Sequence, residues 1–274
     1  MKIVMHDITP LWLGVIRMVL TSAILFAVLA VWGRLRVPNR QDVPALISVG
    51  VFMFGVYSIL TMTGLSHAQA GRAALLTFVT PLWVAPLAIV ILGERLTRLK
   101  GLGLVFAIGG LGVLFNPFGF DWSRTDVVIG NGLLLLASMS WAMTIIHLRA
   151  HRWRLSPLEL GPWQLLVATV VITPAALIME GLPDIVWTVR LTAMLAFAGP
   201  LATTLTVWGA VVILRSLPAT TNSIAFLATP VVGMLASAWV LGEALTVTNV
   251  AGLLLIVSGL GCVAISDTRR LPAG

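Results

Sequence analysis

Thr80-Pro81, running on to Leu92-Gly93-Glu94-Arg95-Leu96-Thr97, is written a second time in this chain. At an offset of 149 residues, Thr229-Pro230 leads to Leu241-Gly242-Glu243-Ala244-Leu245-Thr246. At the same offset Gly103-Leu104 falls on Gly252-Leu253, and Gly110-Leu111-Gly112 on Gly259-Leu260-Gly261. Apolar composition supplies chance leucine matches. It does not hold a Thr-Pro, a Gly-Glu-x-Leu-Thr and a Gly-x-Gly in one register. The chain is therefore two copies of one unit, 1–116 and 127–266, and the medium that surrounds them decides what they do.

That medium is a lipid bilayer. The 274 residues are 59% hydrophobic and only 10% charged, with a mean hydropathy of +1.04. A soluble domain carries about 25% charge, so no water-exposed surface can be built from this inventory. A crossing needs roughly 20 apolar residues, and nine stretches supply them: about 10–33, 44–65, 71–93, 99–116, 127–148, 157–179, 190–214, 218–242 and 246–266. The runs are continuous rather than alternating, which excludes a transmembrane β-barrel. The first is too long for the core of a signal peptide. The fold class is an all-α polytopic membrane protein with nine predicted transmembrane helices.

The net charge of +7 would suggest nucleic acid in a soluble protein. Here it reports topology, and no nucleic-acid partner is implied. Twelve lysines and arginines, among them Arg34, Arg36, Arg40, Arg95, Arg149 and Arg154, fall on the side reached after the first span. Lys2, Arg72, Arg124 and Arg190 fall on the other. Positive residues favour the cytoplasmic side, so the C-terminus is expected inside and the N-terminus outside. The single cysteine, Cys262, lies in an apolar run and reads as a small core residue.

The second copy can be traced further back. Ser156-Pro157, Gly161 and Gln164 match Thr9-Pro10, Gly14 and Arg17 at the same internal spacing. Before Ser156 the second copy has a complete span, 127–148, for which the first copy has only eight residues. Each unit should thus hold five spans. Five is odd, so successive copies insert with opposite topology, the inverted-repeat architecture of secondary transporters.

Paired five-helix units, a Thr-Pro in the fourth helix, Gly-Glu-x-Leu-Thr after it, and Trp141-Ala142 in the opening helix together resemble the EamA family of the drug/metabolite transporter superfamily. The resemblance covers nearly the whole chain. It implies two inverted-topology EamA repeats, ten helices, both ends cytoplasmic, and export of amino acids or other small metabolites across the inner membrane. With nine spans here, an in-frame span is expected upstream of Met1. Without it, polar groups such as Arg17 would be left facing lipid.

Candidate substrate-binding residues follow from polarity and helix breaks at mid-span depth. Proline inside a helix frees the carbonyl four residues earlier. Pro81 would free Thr77, and Pro230 would free Phe226, at matching depth in both copies, where such groups must face protein or a watery cavity. Arg17 lies seven residues into its span, roughly 10 Å from the end at the helical rise. Its charge has two readings, a seat for a substrate carboxylate or an arginine that snorkels or bonds backbone. Gln164, its counterpart, is neutral. Tyr57, Thr80, Thr204, Asn222 and Thr229 are further mid-span polar groups. Among them Asn222 stands out, because an amide is not easily satisfied within one turn. Trp141 and Trp208 lie deep enough to wall a substrate or simply to pack.

Glycines at 101–112 and 252–261 let backbones approach closely, either against the other copy or in a homodimer. Gly93 and Gly242 suit helix ends, and Thr97 and Thr246 suit helix starts. Glu94 and Glu243 read as charges placed at a helix start, with gating as the alternative. No span carries a central aspartate pair, Gly-x-Ser-x-Gly or His-Glu-x-x-His. His147 and His151, four apart, sit among arginines and lack a carboxylate third ligand. Neither an enzyme nor a cofactor or metal site is indicated. The partners expected are the bilayer and a small-molecule substrate. A non-transporting scaffold or small-molecule sensor is the rival reading.

Topology is directly testable. A reporter active only in the cytoplasm should work when fused after Gly274 and stay silent when fused before Met1. An active N-terminal fusion would mean that 10–33 does not cross as assigned.

Overall fold

A computed structural model describes residues 7–67, 74–119, 121–151, 154–197, 205, 209, 217–241 and 246–268. Every element among them is helical: α1 Pro10–Val31, α2 Val43–His67, α3 Thr80–Leu92, α4 Arg98–Phe115, α5 Thr125–Ala150, α6 Pro157–Met179, α7 Val189–Ala196, α8 Ala219–Ala225, α9 Ala228–Leu241 and α10 Val247–Thr268. Seven helical segments are long and apolar enough to cross a membrane, and Ala219–Leu235 is a shorter apolar one. The expected span 190–214 lies mostly outside the described residues, so the described chain shows seven of the nine expected spans at full length.

The chain divides into two compact units, and neither coincides with a sequence copy. One comprises Met1–Met62 and His147–Ser216, the other Thr63–Ile146 and Leu217–Gly274. Each draws on both copies.

In the first unit, α1 packs along α6. Leu11, Val15, Met18 and Leu25 bury against Leu165, Ala168, Ile172 and Ala176, apolar positions at helical spacing on both sides. α2 joins them by close approach. Its Ser48–Val56 segment is a π-helix, and a Cβ on Gly50 or Gly55 would lie 2.7 Å from Val167 or Val171 of α6.

Polar ties close both ends of this unit. At one end the Asp42 carboxylate accepts N–H donors from Arg154 (2.8 Å) and Leu155 (3.1 Å). There Trp163 Nε1 donates to the Arg36 carbonyl at 3.1 Å, and His151 Nε2 lies 2.8 Å from the Gln41 carbonyl. Two arginine-bearing loops thus meet at one end, in keeping with the charge bias. At the other, Asp7 accepts from Thr188 Oγ1 at 2.9 Å and pairs with Arg190 at 3.6 Å.

The two copies start their matching helices differently. Ser156 and Glu159 form a reciprocal capping box on α6. In the first copy the position three after Thr9 is Trp12, which cannot reciprocate. Glu180 replaces it from the far end of α6, accepting the Leu11 N–H at 2.9 Å, the Trp12 N–H at 3.2 Å and the Thr9 hydroxyl.

In the second unit the most extensive helix pair is α4 with α10. Its centre is glycine against glycine. A Cβ on Gly110 would lie 2.6 Å from the Gly252 carbonyl oxygen, and one on Gly259 the same distance from that of Gly103. The duplicated glycines therefore pack copy against copy within the chain. Leu111, Leu114, Ile224, Leu227, Leu253 and Ile256 complete the core. Expected helix ends appear where they can be described. Gly93 has φ +65°, and Thr97 and Thr246 accept N–H donors from Lys100 and Asn249, each at 3.2 Å. Gly242 lies outside the described residues.

Two stability predictions follow from these contacts. Gly110→Ala should cost about 1–3 kcal/mol, because the obstructing atom is backbone and cannot yield. Gly112→Ala, whose Cβ meets nothing within 4 Å, should be neutral or slightly stabilising. Thermal melts of the detergent-solubilised variants check the contrast. At Asp42, burial pushes the carboxyl up, but the N–H groups of Leu155, Arg154 and Asn39 and the Arg154 charge outweigh it, holding the group below its ordinary value. A depressed folded value stabilises fully above about pH 4 and is lost as pH falls through it. Asp42→Asn should therefore lower the melting temperature at pH 7, by about 1–2 kcal/mol in stability. It should also flatten the loss of stability below pH 4. An unchanged acid limb would refute the assignment.

Candidate functional site

The predicted polar residues divide between the two units. Arg17, Tyr57 and Gln164 belong to the first; Thr80, Pro81, Trp141, Asn222, Thr229 and Pro230 belong to the second. Thr204 and Trp208 lie outside the described residues.

In the first unit a cleft is lined by Pro10, Leu11, Leu13, Gly14 and Arg17 of α1, Ser58 and Met62 of α2, and Ile172 of α6. About 400 Å³ in and immediately outside it is free of protein atoms, with room inside for about one water-sized group. Arg17 is half-buried here, and its Nε is buried with no hydrogen-bond partner among the described residues. Tyr57 is half-buried, but its neighbour Ser58 is the hydroxyl that lines the cleft. Gln164, the counterpart of Arg17, is fully buried, and neither amide atom has a partner among the described residues. Buried polar atoms are paired in most proteins, so each such orphan calls for an explanation.

In the second unit the Thr-Pro motifs act differently from expectation. The expected kinks inside continuous helices are breaks. A 3₁₀ turn, Ala74–Phe78, stops before Val79, and Pro81 falls in the first turn of α3, where a missing N–H costs nothing. The Thr77 carbonyl accepts the Thr80 hydroxyl at 3.2 Å. In the other copy α8 ends, a turn covers Phe226 and Leu227, and α9 starts at Ala228. The Phe226 carbonyl accepts the Thr229 N–H at 3.0 Å. Both carbonyls expected to be free thus have local partners. Thr80 and Pro230 are buried and Thr229 is exposed.

Around these breaks, Trp141 sets its ring edge-on to Phe226, with centroids 6.0 Å apart. Trp83 Nε1 donates to Ser138 Oγ at 2.8 Å. Asn222 in α8 is fully buried, and both its amide atoms lack partners. Asn131 in α5 is a third such amide that sequence reading missed. Its position in the second turn of a helix next to loop charges gave no signal of burial.

Two charges also moved from their expected settings. Glu94 does not serve the helix that follows it. It accepts the N–H groups of Ala219 (2.6 Å) and Thr220 (3.3 Å) and the Thr220 hydroxyl (2.9 Å), at the start of α8. Lys100, counted among loop charges, is 3% exposed, with Nζ donating to Thr221 Oγ1 at 2.7 Å. Both contacts join sequence-distant segments, so local reading had no access to them. His147 and His151 stack, with ring centroids 5.5 Å apart.

A duplicated, all-helical chain of apolar spans, with polar groups buried at mid-helix, defines a multi-pass membrane protein. The model of the EamA-like transporter family matches residues 1–116 and 128–265. The chain belongs to that family. A Bacillus subtilis (strain 168) protein named Uncharacterized transporter YoaV is 25% identical over 273 residues, covering 98% of this chain and 92% of its own. A Salmonella typhimurium protein named Probable amino-acid metabolite efflux pump is 27% identical over 275 aligned residues, covering 94% of this chain and 87% of its own. A crystal structure superposes with a TM-score of 0.75 at 18% identity, covering 97% of this chain and 90% of that one. That likeness concerns the fold alone.

Proposed function

We propose that this protein is an inner-membrane secondary transporter that exports small metabolites, with amino acids and related compounds the first class to test. It works by alternating access between the two copies. The observation that carries this reading is the family match, which extends over both copies. The printed name of the Salmonella relative supports the choice of solute.

The buried amides give the reading its chemistry. Gln164 and Asn222 bring hydrogen-bonding groups into the protein interior that have no partner among the described residues. In a purely structural protein such groups are a liability, since each unpaired buried polar group costs about 1–3 kcal/mol. A transporter uses them when a polar solute, or the water moving with it, arrives as the missing partner. Thr80, Pro81, Trp141, Thr229 and Pro230 shape the helix breaks around Asn222, and Tyr57 lies on the helix that carries Ser58.

The test separates function from stability. Cells expressing the protein and loaded with dipeptides should release more free amino acid into the medium than cells without it. Asn222→Ala and Gln164→Leu should cut that release severalfold while leaving the melting temperature unchanged or higher, because each removes an unpaired group. Loss of stability without a specific loss of release would make these residues structural. Solute binding without release would instead support the sensor reading.

A further inference from the structure

We propose that the Arg17 cleft is a seat for the carboxylate of an amphipathic monoanion that lacks a free ammonium group, such as an N-acylated amino acid or a short-chain organic acid. The proposal rests on the exporter reading for its purpose, but binding can be measured apart from transport.

The lining sets the chemistry. Six of the eight lining residues, Pro10, Leu11, Leu13, Gly14, Met62 and Ile172, offer only apolar side-chain surface or none. Ser58 contributes one hydroxyl and Arg17 the only charge among the described lining residues. A guanidinium at this depth is costly unless something neutralises it. Arg17 makes no ion pair with a described residue, and its Nε is buried without a partner. A planar guanidinium matches a carboxylate geometrically, by two parallel N–H···O bonds. A cleft with room for little more than one water-sized group accepts a headgroup rather than a whole metabolite, so the apolar body of the ligand extends outward past the half-buried Met62.

The absence of a seat for an ammonium group is equally specific. No acidic residue lines the cleft among the described residues. Of the carboxylates at this end of the unit, Glu180 and Asp7 already have partners, and the exposed Asp184 is not part of the described lining. Glu180 is held by Thr9 and the N–H groups of Leu11 and Trp12, and Asp7 by Thr188 and Arg190. A zwitterion entering here would leave its ammonium unpaired on apolar surface, which is unfavourable.

The probes are N-acetyl-L-leucine, L-leucine and L-leucinamide, titrated against the full-length protein in phosphatidylcholine nanodiscs by calorimetry. N-acetylleucine should bind at least about tenfold more tightly than leucine, and leucinamide not at all. Arg17→Gln places the other copy's residue at this position, and should weaken N-acetylleucine by about ten- to a hundredfold, the loss expected for a charged hydrogen bond. Arg17→Lys should keep part of the affinity. Gly14 faces open space at the cleft, so Gly14→Leu should fill the seat and abolish binding without lowering the melting temperature. It carries the test if Arg17→Gln fails to fold.

Equal binding of leucine and N-acetylleucine, or binding indifferent to both Arg17→Gln and Gly14→Leu, would overturn the proposal. So would competition by phosphatidylglycerol nanodiscs, which would assign the seat to lipid phosphate. Arg17-dependent binding with no flux of any solute would sink the exporter reading and leave the seat standing. N-acetylleucine export unchanged by Arg17→Gln would do the reverse.

Discussion

A backbone N–H or C=O inside hydrocarbon has no water to turn to, and much of this chain's local structure answers that constraint. The three described glutamates, Glu94, Glu159 and Glu180, all accept N–H groups at a helix start. Glu159 does so within its own helix; Glu180 and Glu94 reach across the chain to α1 and α8. The Thr-Pro breaks obey the same rule. Each proline leaves a carbonyl without its helical donor, and the adjoining threonine, by hydroxyl in one copy and by N–H in the other, supplies a replacement.

Close packing is the second consequence of the same medium. Lipid tails are as apolar as leucine, so helices gain little by hiding apolar surface from lipid and must instead fit closely. Gly103 and Gly110 meet Gly259 and Gly252 at distances that no Cβ could share, and Gly50 and Gly55 do the equivalent against α6 valines. Duplication makes this economical. One glycine-bearing helix, copied and brought against itself, supplies both faces of the contact.

Against that background the unsatisfied groups are informative. Arg17 Nε and the amides of Gln164, Asn131 and Asn222, with Thr61 Oγ1 and His147 Nδ1, are buried and unpaired among the described residues. Arg17 and Gln164 occupy matching positions of the two copies, yet one is charged and the other neutral.

The sequence by itself determined the medium, the duplication and several helix boundaries. Apolar run length, glycine and threonine at helix ends, and the register of repeated motifs are local quantities, and local quantities survive without coordinates. Arg17, Gln164 and Asn222 were legible as outliers for the same reason, since a polar residue at mid-span depth is visible in one dimension. Tertiary structure alone decided what those residues face, that Glu94 caps α8, that Lys100 is buried against Thr221, and that Ser58 rather than Tyr57 lines the Arg17 cleft. It also decided that each compact unit combines helices of both copies. Each of these depends on which segments distant in the chain come together, and a hydrogen bond or cleft between them leaves no periodic trace in either segment alone.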